Sequence, residues 1–379
     1  MIWSAPSAGK TSPPNDPSGP PGGDEHRDAA TAGRTGRRDT GPATTGAGIR
    51  RAARALARPG PWRRGSVLAA LALLLGLVMS LHARITDRGS LGSLVETFLP
   101  WFGLFVPVLL AGALWRRSAS AVTALLLPAV VWLNLFGGLL GDRSRPGGDL
   151  TVASHNVDAG NPDPAGTARE LAASRADVLA LEELTPQDRG VYERGLAKAY
   201  RYHTVLGTVG LWSRLPLSDT RPVDIETDYG PLAATKPADV KLAGNRALRA
   251  TVTTGKGPVA VYVAHLGSVR VLPSTGFWTG SRDRNAKALG KALAAEPNPR
   301  VVLLGDLNGT TDDRAFDALT SRLRSAQEVA GDGFGFTWPA RFPVARIDQI
   351  LVRGVQPHRS WVLPSTGSDH LPVAARIGW

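Results

Sequence analysis

The sequence predicts an α/β (α+β) domain over residues 150–379, carried behind three apolar helices over residues 65–141. Three observations lead there. Short strand-like and helical segments alternate after Leu150, three long runs without charge precede it, and the basic residues cluster beside the first of those runs.

Residues 1–49 are Pro, Gly, Ser, Thr and balanced charges, too poor in apolar side chains to offset their ordering entropy, and are expected to be disordered. Residues 50–64 hold Arg50, Arg51, Arg54, Arg58, Arg63 and Arg64 and no acid, so residues 1–64 read as a tail with an Arg-rich end. The runs Ser66–Leu81, Thr97–Leu114 and Ser118–Leu140 contain no charged residue. As helices they extend roughly 24, 27 and 35 Å, against a bilayer core of about 30 Å. Pro100 and Pro107 in the second run are tolerated in a membrane helix. The Arg-rich stretch before the first run and Arg116–Arg117 between the second and third keep those ends in the cytoplasm. The N-terminus is then cytoplasmic, the loop 82–96 faces out, and so does everything after Leu140. This is a multi-pass plasma-membrane protein whose partner is the bilayer, with residues 142–149 as a linker.

From Leu150, LTVASHNV, DVLALEEL, ALRATVTT, VAVYVAHL and RVVLLGDL read as strands, and residues 167–176 and RNAKALGKALAA as helices. Such a mixture packs as layers about one core. The chain has no cysteine, which excludes disulfides, thiol catalysis, iron–sulfur clusters and Cys-ligated zinc. The net charge of +12 suggests a nucleic-acid partner until it is located. Residues 151–379 carry 27 basic and 23 acidic residues, and the whole +6 of residues 1–64 sits in residues 50–64.

Polar residues stand where apolar strands end: Asn156, Glu183, His265, and Asp306 with Asn308. Asp348 lies in RIDQILV, and Asp369 and His370 close STGSDH. Groups at the ends of several strands converge on one cleft. Asn156 in SHNV, Glu183 in LEEL, His265 in AHL, GDLN, RIDQIL and SDHLPV resemble, in order, the motifs of the endonuclease/exonuclease/phosphatase superfamily. That superfamily includes DNase I-like nucleases, neutral sphingomyelinases and inositol-polyphosphate 5-phosphatases. The resemblance covers residues 150–379. It implies a four-layer, two-sheet sandwich and a Mg²⁺- (or Mn²⁺-) dependent phosphoester hydrolase.

The resemblance implies Glu183 as the metal ligand, with Asp369 completing the site and Asp158 serving a second metal position or a turn. It makes His370, supported by Asp348, a catalytic pair and gives Asp306 the attacking water. Asn308 and Asn156 hold phosphoryl oxygens or carboxylates, and His265 donates to the phosphate. Glu182 reads as a solvated surface carboxylate, His155 as packing or loop chemistry, His203 and His358 as surface residues, and Trp338 as a core aromatic in preference to a cleft-lining one. Arg246 resembles a phosphate-contacting Arg of the superfamily.

The three-run anchor before an outward-facing domain resembles the teicoplanin-resistance membrane hydrolases of actinobacteria, which implies undecaprenyl pyrophosphate or a related lipid carrier as substrate. The alternatives are an extracytoplasmic nuclease, for which Arg282/Arg284 and Arg322/Arg324 offer local positive charge, a sphingomyelinase-like phosphodiesterase, and an inactive scaffold. The full set of motif residues argues against the last.

Overall fold

The computed structural model describes residues 59–86, 88–225, 245–272 and 276–379. The expected disordered tail and all but the end of the Arg-rich segment lie outside these.

Two six-stranded mixed sheets form the frame. The first runs β13 (Gln356–Val362), β14 (Val373–Gly378), β1 (Leu150–Asn156), β2 (Val178–Glu182), β4 (Val209–Ser213), β3 (Tyr202–Leu206). The second runs β11 (Arg324–Ser325), β12 (Asp348–Arg353), β10 (Val301–Asp306), β7 (Gly257–Ala264), β6 (Ala247–Thr254), β5 (Leu217–Pro222). A small ribbon pairs β8 (Arg270–Leu272) with β9 (Gly276–Trp278).

Side-chain alternation builds the core. Val152, Val178, Val261, Val302, Leu304, Ile350 and Val373 fill the space between the sheets. The opposite faces are covered too. Leu179 and Leu181 pack with the helices Pro164–Ala173 and Arg189–Leu196, and Leu303 packs with the helix Gly280–Ala294. The result is helix, sheet, sheet, helix, the layering expected from the sequence.

Ahead of it stand the helix Ser66–Ser80 and two longer apolar helical stretches, Leu91–Trp115 and Ala119–Leu140. By length and composition the two longer ones suffice to cross a membrane, while the first has 15 residues. The second begins six residues earlier than its charge-free run and so carries Glu96, which had been assigned to the outer loop. Pro100 removes a helical N–H, and LPWFGL winds as a 3₁₀ segment between the helices Leu91–Phe98 and Phe105–Trp115. The outward faces are apolar: Leu74, Leu77, Phe105, Val108, Leu126 and Val130 are all exposed.

Residues 142–149 are tied down. Arg143 N–H donates to the Gly331 carbonyl, Arg145 N–H to His358 and Asp149 N–H to Ile377. His358 also meets the Pro146 carbonyl at 3.0 Å, so it secures this connection.

Candidate active site

The alternation that fills the core also places the polar residues. On β1, Leu150 and Val152 face the other sheet and Asn156 continues that face. Val261 and Val263 of β7 lead to His265 in the same phase. Leu304 of β10 leads to Asp306, and Ile350 of β12 is preceded by Asp348. The antiparallel register sets Asp306 opposite Asp348. All therefore meet at one end of the seam between the sheets. Gly305 allows this, because a Cβ there would stand 1.9 Å from the Ala264 carbonyl oxygen and its φ is +147°.

Asp306 is the hub. Its Oδ2 accepts from Asn156 Nδ2 at 3.0 Å and Asn308 Nδ2 at 3.2 Å. His265 Nε2 and His370 Nε2 lie 3.6 and 3.9 Å from the same oxygen, and His265 Nε2 is 3.5 Å from Glu183 Oε1. These separations are too long for direct hydrogen bonds and leave a gap of the size a bridging oxygen fills. Asn156 Nδ2 also donates to Glu183 Oε1 at 3.1 Å, and Ala159 N–H to Glu183 Oε2 at 3.0 Å.

Asp158, Glu183 and Asn308 all adopt positive φ, at 60°, 63° and 53°. Such backbone is uncommon for side-chain-bearing residues and gathers at functional sites. Asp158 accepts from Gly160 N–H at 2.7 Å, a turn aspartate that also lines the cleft. Asp369, more than half exposed, accepts from Trp338 Nε1 at 3.2 Å.

His370 Nδ1 stands 3.0 Å from Asp348 Oδ2, both buried. Burial opposes the imidazolium, but the Asp348 and Asp306 carboxylates outweigh it and raise His370 to about 10. Burial likewise opposes the Asp348 charge, and the His370 cation outweighs it, holding Asp348 low. Burial first of all lifts Asp306 to about 7. His265 is pushed well down by burial, so it is neutral with Nε2 unpartnered among the described residues.

The sign of linkage for the His370–Asp348 pair follows. Its support for folding is full between the ordinary carboxylate value of 3.8 and the ordinary imidazole value of 6.5. It fades as pH rises toward about 10. In Asp348→Asn, the His370 titration followed by NMR is expected to fall by at least two units from that value.

The donors here suit a hard cation. Asp306, Asp348 and His370 offer ligand atoms within 4.8 Å of one another. A protonated His370 is not a ligand, however, and Asp348 is engaged with it. The oxygens on the other side, those of Glu183 and Asp306, with Asp158 and Asp369 on the cleft wall, are the fitting place, and Asn156 Nδ2 holds the first two carboxylates together.

Several sequence readings change. Glu182 is not on the surface. It is wholly buried in the same phase as Val178 and Ala180, accepts from Ser154 at 2.9 Å, and burial raises it well above the usual range. Trp338 is 38% exposed and lines the cleft instead of the core. Arg246 Nε and Nη2 bond the carbonyls of His265 and Leu266 at 3.0 and 2.9 Å, which fixes that strand end. His155 is buried, as read, and meets Thr366 Oγ1 at 2.9 Å. His203 is exposed and stacks on Trp212. Sequence reasoning missed Ser368, whose hydroxyl donates to the Asn156 carbonyl at 2.7 Å and accepts from His370 N–H at 3.0 Å.

It also missed the share that the apolar helices have in the site. The cleft, about 460 Å³, is lined by Leu94, Thr97 and Phe98 of the second apolar helix together with Val269, Phe277 and Ile347. That helix is fastened to the loop after β10. Ser93 Oγ donates to Asp313, and Arg282 Nη2 bonds Ser93 Oγ at 3.0 Å and Asp313 at 2.9 Å. Arg314 pairs with Glu96 at 2.7 Å.

The sequence model of the Endonuclease/Exonuclease/phosphatase family matches residues 153–370. No curated protein matches this chain in sequence. Similar solved structures include D. rerio TDP2 complexed with a single-strand DNA product, 18% identical over 61% of this chain and 99% of that one, TM-score 0.49. A Bacteroides thetaiotaomicron mannosyl-6-phosphatase is 18% identical over 61% of this chain and 100% of that one, TM-score 0.46. A functionally unknown conserved protein from Enterococcus faecalis is 16% identical over 60% and 99%, TM-score 0.47. With the matched segment spanning more than half of its length, the chain belongs to the Endonuclease/Exonuclease/phosphatase family of hydrolases.

Proposed function

We propose that the protein is a membrane-tethered, Mg²⁺- (or Mn²⁺-) dependent hydrolase of a lipid-linked phosphate, such as undecaprenyl pyrophosphate, acting outside the cytoplasm. One observation carries this reading. The catalytic cleft takes part of its wall from the first turns of an apolar helix of membrane-crossing length, through Leu94, Thr97 and Phe98. A phosphate held at His265 and His370 then has an apolar surface beside it that leads toward a bilayer. A lipid substrate is also concentrated at such a cleft by the tether.

The exposed apolar faces of the anchor support membrane contact. Its two ends differ in charge. Arg63, Arg64 and Arg116 gather at one end, while His82, Ile85 and Trp101 contact the catalytic domain at the other, an arrangement that suits a domain facing away from the cytoplasm. A nuclease reading has less support. Among the described residues no Lys or Arg lines the cleft, and Arg282 is buried against Asp283 and Asp313.

When bound at Glu183, the divalent ion supplies a sink for charge building on the phosphoryl oxygens. The chain's own groups do the rest. Protonated His370, held by Asp348, and neutral His265 direct their Nε2 atoms at the phosphoryl oxygens. Asp306 orients the attacking water and takes its proton, with Asn156 and Asn308 fixing the carboxylate. The resemblance to the teicoplanin-resistance hydrolases belongs with this reading and names the lipid class.

Phe98→Asp in the full chain is expected to raise KM for a polyprenyl pyrophosphate by about ten-fold or more, as lost apolar contact predicts. Turnover of p-nitrophenyl phosphate should stay within about two-fold. Equal losses on both substrates would remove the lipid wall from the account. Topology has its own check: protease added to intact cells should digest the domain after Leu140, and its survival until lysis would reverse the orientation.

A further inference from the structure

A second cavity, of about 600 Å³, shares no lining residue with the catalytic cleft. Strand alternation separates the two. Asp348 faces the seam between the sheets, so its neighbour Gln349 faces the opposite side of β12. The walls come from the loop after β10, the helix Ala326–Ala330, the segment before β12 and the end of the third apolar helix.

Four of its side chains are more than nine-tenths buried and carry polar atoms with no partner among the described residues. These atoms are Thr310 Oγ1, Gln327 Oε1, Gln349 Oε1, and Nε and Nη2 of Arg346. Arg346 Nη1 is engaged, donating to the Gly335 carbonyl at 2.8 Å. What remains is the Nε–Nη2 edge, the pair of parallel N–H groups that grips an oxyanion side-on. The amide orientations are fixed as well. Gln349 Nε2 donates to the Arg346 carbonyl at 2.8 Å, and Gln327 Nε2 to the Gly333 carbonyl at 2.9 Å. Each Oε1 is therefore an acceptor without a donor.

A buried guanidinium edge with no group hydrogen-bonded to it, beside two acceptors without donors, is costly even with the charges of Asp348 and Glu328 nearby. The chemistry that complements both kinds of group is a phosphate whose substituents bear hydroxyl or ammonium hydrogens. Arg143, Arg324 and Arg346 line the cavity against Asp312 and Glu328, which leaves one positive charge in excess, so a singly charged phosphodiester fits best.

We propose that this cavity is a phosphate-binding subsite separate from the active site, with Arg346 as its fork and the two glutamines receiving the donor groups. The third apolar helix contributes Asn134 and Leu139 to the wall, which places the subsite where a bilayer headgroup reaches it. Free phosphate has the same chemistry, and the test separates the two sources.

The full-length protein in detergent with EDTA would be titrated with short-chain phosphatidylglycerol and, separately, with inorganic phosphate, following thermal unfolding. Wild type should be stabilised by the lipid at concentrations at least ten-fold lower than Arg346→Lys, which keeps the charge and loses the fork. Thr310→Val should shift the midpoint two- to five-fold, and it decides the matter should the lysine variant fail to fold. The same pattern with inorganic phosphate alone would identify the free ion as the occupant of the subsite. Titrations in which neither ligand distinguishes wild type from the variants would overturn the proposal. EDTA removes the divalent ion from the catalytic site, so this result stands whether or not the lipid-hydrolase reading does.

Discussion

His370→Ala and Asp306→Asn are each expected to lower kcat by on the order of 10³-fold, with the fold intact. Positioned proton transfer and charge support contribute about 10²–10⁴-fold in hydrolytic sites. Both residues touch the same gap, His370 through Nε2 and Asp306 through Oδ2, 3.9 Å apart. They act as a unit, so the double variant should lose little more than either single one. Steady-state phosphate release, with circular dichroism as the folding control, measures this. Additive losses would mean that the two groups serve separate steps.

Asp313→Ala should produce the largest loss of stability. Arg282 and Asp313 are both 1% exposed and 2.9 Å apart. Removing one partner of such a pair typically costs about 3–5 kcal/mol, because the other charge stays buried. Asp283 still contacts Arg282 at 2.7 Å, so the lower end, about 3 kcal/mol, is expected. For a domain of this size that lowers Tm by roughly 6–12 °C. The same substitution removes one of the two partners of Ser93 Oγ, leaving Arg282 at 3.0 Å, and so loosens the helix that carries Leu94 and Phe98. KM for a lipid substrate should therefore rise along with the fall in Tm. A normal Tm would show that the anchor and the loop after β10 are not coupled through this pair.

Most of the fold and the motif residues were legible because a period of two governs them. Val152 to Asn156 and Leu304 to Asp306 are single alternating patterns that change from apolar to polar at the strand end. The same period also assigns Glu182. It shares the phase of Val178 and Ala180, so it points between the sheets, and Glu183, turned by its positive φ, reaches the cleft. The role of the apolar helices in the site was not legible. An apolar run states its hydrophobicity and length but not its tertiary partner, and Leu94 and Phe98 look like any lipid-facing residues. Glu96 was the available signal. A carboxylate next to a membrane-length run needs a cation, and Arg314 in the loop after GDLN supplies it. For Trp338 the core reading was preferred over the cleft for a related reason, since an aromatic at the rim of a cleft has the same local sequence as one in a core.

Phosphate release by the detergent-solubilised full chain with Mg²⁺, on polyprenyl pyrophosphate and on plasmid DNA side by side, tests the central claim most directly. The account predicts release from the lipid, lost in Glu183→Ala and His370→Ala, with the plasmid left intact. Rapid cleavage of the plasmid with no release from the lipid would contradict it.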